Sequence, residues 1–176
     1  FFSTQELALF EQYHLSAVIH HHEQVAMLMA SKHPQLNLFL KINTGMNRLG
    51  LLPEKVSAII NQLRENHYPK NITLMTHFAS ADDPSQHDSV IQQLQCFQQA
   101  AHTHAQPCSL ANSAAIIRYP QSHADWVRPG IMLYGASPFA DQTAADLNLR
   151  PVMTLSSKII AIHELKSGDK VGYHGL

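Results

Sequence analysis

The chain has 176 residues, 45% of them hydrophobic, with charged residues at 14% and a formal net charge of −1. That is enough apolar material for one domain with its own core, or one domain and part of another. The near-neutral balance, with no clustered Lys and Arg, excludes nucleic-acid binding as the main activity, and no apolar run is long enough to span a membrane.

Cys96 and Cys108 form no metal- or redox-type pair motif, so they are expected as reduced thiols of a cytoplasmic protein. The opening Phe1-Phe2-Ser3-Thr4 lacks a signal-peptide pattern and an initiator Met, so more chain is expected upstream.

Short apolar runs alternate with helical patterns. Ala17–Ile19 reads as the first strand, and the helical pattern from Glu23 to Ser31 follows it. His20-His21-His22, between them, reads as a solvated loop and not a metal site, since no further ligands cluster with it. Leu38–Ile42 is the second strand. From Pro53, a favourable first-turn residue, Val56, Ile59, Ile60 and Leu63 share one helical face. Ile72–Thr76 is the third strand, and from Pro84 the residues Val90, Leu94, Phe97 and Ala101 again share a face. Cys108–Leu110 and Ile131–Tyr134 complete the strand set.

Strand–helix alternation with nearly continuous apolar strands predicts an α/β fold with a parallel sheet. A (β/α) barrel and a doubly wound sheet both fit. A closed (β/α)8 barrel has more strands than this chain offers, so a barrel reading makes the chain a part of one. The pattern changes near Leu147: Pro151–His163 is rich in Val, Thr and Ile, and Ser167-Gly168-Asp169 reads as a turn. A domain boundary is expected there, with residues 1–148 in the barrel and 149–176 opening a β-rich domain.

Four segments in order resemble the alanine racemase family, and together they span nearly the whole chain. They are Leu40-Lys41-Ile42-Asn43-Thr44-Gly45-Met46-Asn47-Arg48-Leu49-Gly50; Thr76-His77-Phe78-Ala79-Ser80-Ala81-Asp82; Ala111-Asn112-Ser113-Ala114-Ala115 with Trp126-Val127-Arg128-Pro129-Gly130-Ile131; and Pro151-Val152-Met153-Thr154-Leu155 with Val171-Gly172-Tyr173. The resemblance implies a fold type III enzyme: a (β/α)8 barrel followed by a β-rich domain, a head-to-tail homodimer, and pyridoxal 5'-phosphate as cofactor. The implied activity is interconversion of L- and D-alanine by two bases, which supplies D-alanine for peptidoglycan.

The same resemblance assigns roles. Tyr173 is one base, serving the partner's site, and His77 lies in the polar chain leading to it. Arg48 binds the substrate carboxylate. Arg128 faces the cofactor's ring nitrogen, and an arginine does not give up its proton at working pH. Ser113, Gly130 and Ile131 bind the cofactor phosphate. Lys41 is a candidate for carbamylation, which would turn a cation beside Arg48 into an anion.

The family's Schiff-base lysine lies in a Lys-Ala-Asn-Ala-Tyr-Gly motif that this chain does not contain, so the chain alone is expected to be inactive. Asn43 stands where the family usually has Asp, and His174 where it usually has Gly. A non-catalytic pyridoxal-phosphate-binding barrel and a broad-specificity racemase are the competing readings. The segment Pro151–Tyr173 counts against the first. A decarboxylase should carry a carboxylate where Arg128 stands.

Overall fold

The structure is a computed structural model, and it describes residues 1, 3–31, 36–67 and 71–175. Among the described residues, four strands form one parallel sheet: β1 (Ser16–Ile19), β2 (Asn37–Lys41), β3 (Ile72–Met75) and β4 (Cys108–Ser109), side by side in chain order. Accompanying them are the helices α1 (Thr4–Gln12), α2 (His22–Ala30), α3 (Val56–Glu65), α4 (His87–Ala101) and α5 (Ser113–Arg118).

Alternation along the strands decides which residues enter the core. Ala17 and Ile19 of β1, Leu38 and Leu40 of β2, and Ile72 and Leu74 of β3 are buried. They join one apolar cluster with Leu28 of α2, Val56, Ile60 and Leu63 of α3, and Val90, Leu94 and Phe97 of α4. Burying each such side chain contributes on the order of 1.5–3 kcal/mol. Pro53 opens a short 3-10 turn, Pro53–Lys55, that leads into α3, and Pro84 does the same for α4. Both prolines stand where a missing N–H costs no hydrogen bond.

Three expectations change. Ile131–Tyr134 is not a strand but a 3-10 helix, closed by Gly135 at φ 82°. A run of four apolar residues has no periodicity that separates strand from helix, and Pro129-Gly130 just before it favours a turn. The place beside β4 is taken instead by Trp126, in a single parallel bridge to Ser109. The second change is at the histidines. His21 is the cap of α2 and His22 its first residue, so the run is a helix start and not a loop. The Nδ1 of His21 accepts the Glu23 N–H at 3.4 Å, and the side-chain Oε1 of Gln24 accepts the N–H groups of His20 and His21 at 2.8 and 3.2 Å.

Beyond residue 148 the expected β structure has no sheet partner among the described residues. Leu155 and Ile160 are almost fully exposed. The turn at Ser167-Gly168 forms as expected, with the Asp169 N–H bonded to the Lys166 carbonyl at 3.0 Å and Gly168 at φ 97°.

Candidate active site

The candidate residues gather where β2, β3 and β4 end. Lys41 is the last residue of β2, and the loop after it is tied shut. The Leu51 N–H donates to the Lys41 carbonyl at 2.7 Å, and the Asn43 N–H to the Leu51 carbonyl at 2.9 Å. Asn43 organises the interior: its Oδ1 accepts from the N–H groups of Gly45 and Asn47 at 3.2 and 3.0 Å, and its amide donates to Asn47 Oδ1 at 2.9 Å. An aspartate at this place could accept the same two bonds, so the departure at Asn43 leaves the loop intact. Gly50, at φ 143°, is required twice, since an added Cβ would lie 2.5 Å from the Asn43 backbone nitrogen. This loop carries Arg48, whose side chain is exposed to solvent at the mouth.

His77 follows β3 and is half-buried. Burial first, then the positive charges of Arg128, Lys41 and Arg48, push its pKa down to about 4. Lys41 is lowered too, by burial and then by Arg48 and Arg128. No carboxylate pairs with Lys41, Arg48 or Arg128 among the described residues. Three uncompensated cations around one neutral imidazole form a site suited to an anionic ligand.

Arg128 lies across the strand ends. Its guanidinium donates to Ser109 Oγ at 2.5 Å, to the Thr76 carbonyl, and to the Leu110 carbonyl at 3.3 Å. Its own N–H donates to the Ala111 carbonyl at 2.9 Å. A lysine could not make these bonds together, because they use the planar fork. Burial lowers the pKa of Arg128, but an arginine starts so high that it stays charged.

Ser113 is the buried first residue of α5, and Asn112 caps that helix by accepting the Ala115 N–H at 3.0 Å. The Ser113 hydroxyl accepts the Gly130 N–H at 2.7 Å, which leaves its own proton to donate. A Cβ at Gly130 would lie 3.8 Å from Ser113 Oγ, so glycine keeps this corner open. The Ile131 N–H opens the 3-10 helix beside it and has no acceptor within that helix. The Gly130 N–H is thus spent on Ser113, and the donors left in this corner for a phosphate are the Ser113 hydroxyl proton and the Ile131 N–H.

Arg48 and Arg128 therefore act on both Lys41 and His77, and Ser113, Gly130 and Ile131 form a corner two residues on from Arg128. Tyr173 is not with them. It is 95% exposed, on a short 3-10 turn near the end of the chain. His174 beside it has φ 65°, a conformation that glycine adopts freely. His21, His22 and Glu23 have ligand atoms within 4.8 Å of one another, all exposed.

Sequence reasoning missed Gln93 and Thr44. Both are buried, and both bond to the loops that carry the site. The signal was present for Gln93: it falls on the apolar face of α4 between Val90 and Leu94, and a buried polar side chain there needs a partner.

Comparison with known proteins bears on this arrangement. The family described as alanine racemase, N-terminal domain, matches residues 1–138. An alanine racemase from Nitrosospira multiformis is 55% identical over 98% of this chain and 49% of its own length. A catabolic alanine racemase from Klebsiella aerogenes is 44% identical, over 100% of this chain and 49% of its own. Among solved structures, the biosynthetic alanine racemase from Pseudomonas aeruginosa superposes with a TM-score of 0.89 at 40% identity, over 99% of this chain and 49% of that one. The chain spans about half the length of the curated relatives it matches. With this sheet, these strand-end residues and these relatives, the chain belongs to the alanine racemase family.

Proposed function

We propose that the protein to which this chain belongs racemises alanine with pyridoxal 5'-phosphate. The observation that carries the reading is the pairing of a cationic strand-end cluster, Lys41, Arg48 and Arg128, with the Ser113–Gly130 corner. The cofactor has an anionic phosphate and the amino-acid substrate an anionic carboxylate, and the site has donors of suitable charge for both. When bound, the cofactor makes the α-proton of an amino acid acidic.

The chain's own residues then divide the work. The Ser113 hydroxyl and the Ile131 N–H would hold the phosphate, beside Gly130, whose own N–H bonds to Ser113 Oγ. Arg48, exposed at the mouth, binds the substrate carboxylate through its fork. Arg128 is a fixed donor that keeps its proton, and it would face the ring nitrogen of a bound cofactor without giving that proton up. Many enzymes using this cofactor place a carboxylate there instead. Tyr173 is one proton-transfer group and acts in the partner subunit of a homodimer. A free tyrosine has a pKa of roughly 10, so it needs nearby positive charge to act near neutrality. Its exposure in the single chain is in keeping with a partner-facing role. The second base is a lysine outside this chain, and residues 149–176 open the β-rich domain. A cytoplasmic enzyme that supplies D-alanine for peptidoglycan is the setting this reading implies.

The test is direct. Purified full-length protein loaded with pyridoxal phosphate is given L-alanine, and D-alanine is measured with a D-amino-acid oxidase. Turnover that depends on the cofactor is expected. Serine, lysine and arginine offered in parallel separate an alanine enzyme from a broad racemase. No turnover of any amino acid by the loaded protein overturns the reading.

A further inference from the structure

We propose that Gln93 is a positioning residue for this site: one buried amide on α4 locks the loops after β2 and β3 into a single geometry. The inference rests on the racemase reading for its catalytic consequence, while its structural half stands without it.

Gln93 is 3% exposed, and its hydrogen-bonding groups point at the two loops. Its Nε2 donates to the His77 carbonyl at 3.2 Å and to Thr44 Oγ1 at 3.3 Å. Its Oε1 accepts the Ala79 N–H at 3.0 Å. The backbone on both sides of Phe78 is therefore held by the same amide. The bond from Ala79 fixes which end is oxygen, because a backbone N–H can only donate.

A directional chain continues from there. Thr76 Oγ1 donates to the Ile42 carbonyl at 3.0 Å, which uses its only proton. The Thr44 and Thr76 hydroxyls are 2.7 Å apart, so Thr44 must be the donor between them. Thr44 is then left to accept from Gln93. The order is Gln93 to Thr44 to Thr76 to Ile42, and each proton has one place to go. Gly45 packs on the same side chain, where an added Cβ would lie 3.3 Å from Gln93 Cγ. Ile42 adjoins Lys41, and Thr76 adjoins His77 while its carbonyl accepts from Arg128. The chain thus runs beneath three of the candidate site residues without using any of their side chains.

Gln93→Glu is the informative variant, because it keeps shape but replaces two donors with an acceptor. That acceptor would face the His77 carbonyl and a hydroxyl whose proton is already committed. Gln93→Met removes the polar groups at similar volume and adds no charge. Both are made in the full-length protein and loaded with pyridoxal phosphate. We expect kcat for alanine to fall by about 10–100-fold in each, since a small misplacement of reacting groups has effects of this size. Cofactor affinity should change by less than about threefold, because Ser113 and Gly130 keep their own bond.

Amide hydrogen exchange of Ala79, read alongside Leu74 in the strand, gives a measure that needs no activity. Ala79 should lose protection in both variants while Leu74 keeps it. Unchanged Ala79 exchange, or unchanged kcat in a folded variant, overturns the proposal. If the wild-type protein turns over no amino acid, the racemase reading fails, and the exchange result still decides whether Gln93 holds the loop.

Discussion

Burial first, and then the charges of Arg128, Lys41 and Arg48, lower the pKa of His77 from the ordinary 6.5 to about 4. The folded protein therefore binds fewer protons at this residue than the unfolded chain does between those values. The sign follows from linkage: the stability tied to a neutral His77 is whole above about 6.5 and is lost as pH falls toward about 4. The melting temperature of the wild type minus that of His77→Gln, without added ligand, should be lower at pH 5 than at pH 7. Parallel curves across that range would show that His77 titrates normally. Lys41 has the matching perturbation. Its lowered pKa leaves more of the reactive neutral amine, and a carbamate formed on it would be stabilised by Arg48 and Arg128. Native mass spectrometry in bicarbonate should show one added carbon dioxide that Lys41→Ala abolishes. The variant should be less active, with partial recovery on adding acetate. An unmodified lysine and an unaffected enzyme would refute this.

Among the elements, the strands and long helices were legible because their apolar residues repeat with a period. Val56, Ile59, Ile60 and Leu63 were read as one face and are all buried. Ile131–Tyr134 was not legible, because its conformation depends on Gly130 and Gly135 and not on its own side chains. The candidate site was legible in the segments around Lys41, His77, Ser113 and Arg128, where family resemblance located it. Its buried support was not: Thr44 and Gln93 look ordinary until the loops are folded over them. Arg118, at the end of α5, is a tie outside the site that the sequence also left unmarked. It donates to both oxygens of Asp141 at 2.8 and 3.1 Å, donates to the Asp82 carbonyl, and lies 3.8 Å over the Phe139 ring. Arg118→Ala should destabilise the protein by about 1–3 kcal/mol in urea unfolding, with most of that effect retained in Arg118→Lys. A midpoint unchanged in both variants would mean that these contacts contribute nothing net.

At the scale of the whole molecule, the sheet among the described residues ends at β1 on one side and at the Trp126 bridge on the other. Under the proposed function Tyr173 is one half of the catalytic pair and acts across a subunit boundary. Dimers mixed from Tyr173→Ala subunits and subunits lacking the cofactor-linking lysine should recover about half the activity of the wild-type dimer, because one of the two sites is intact. A general base lost from both sites costs about 10²–10⁴-fold, so the recovery is easily read. Mixed dimers that form and stay inactive would place Tyr173 in its own subunit's site.

The strand order carries one more consequence, for how the chain is made. β1, β2, β3 and β4 lie side by side in the order in which they are synthesised. Each strand leaving the ribosome therefore meets the open edge of the strand made just before it, with no need to wait for a later partner. The sheet can grow one strand–helix unit at a time during translation, and the loops that carry Lys41, His77 and Arg128 are seated in that same sequence.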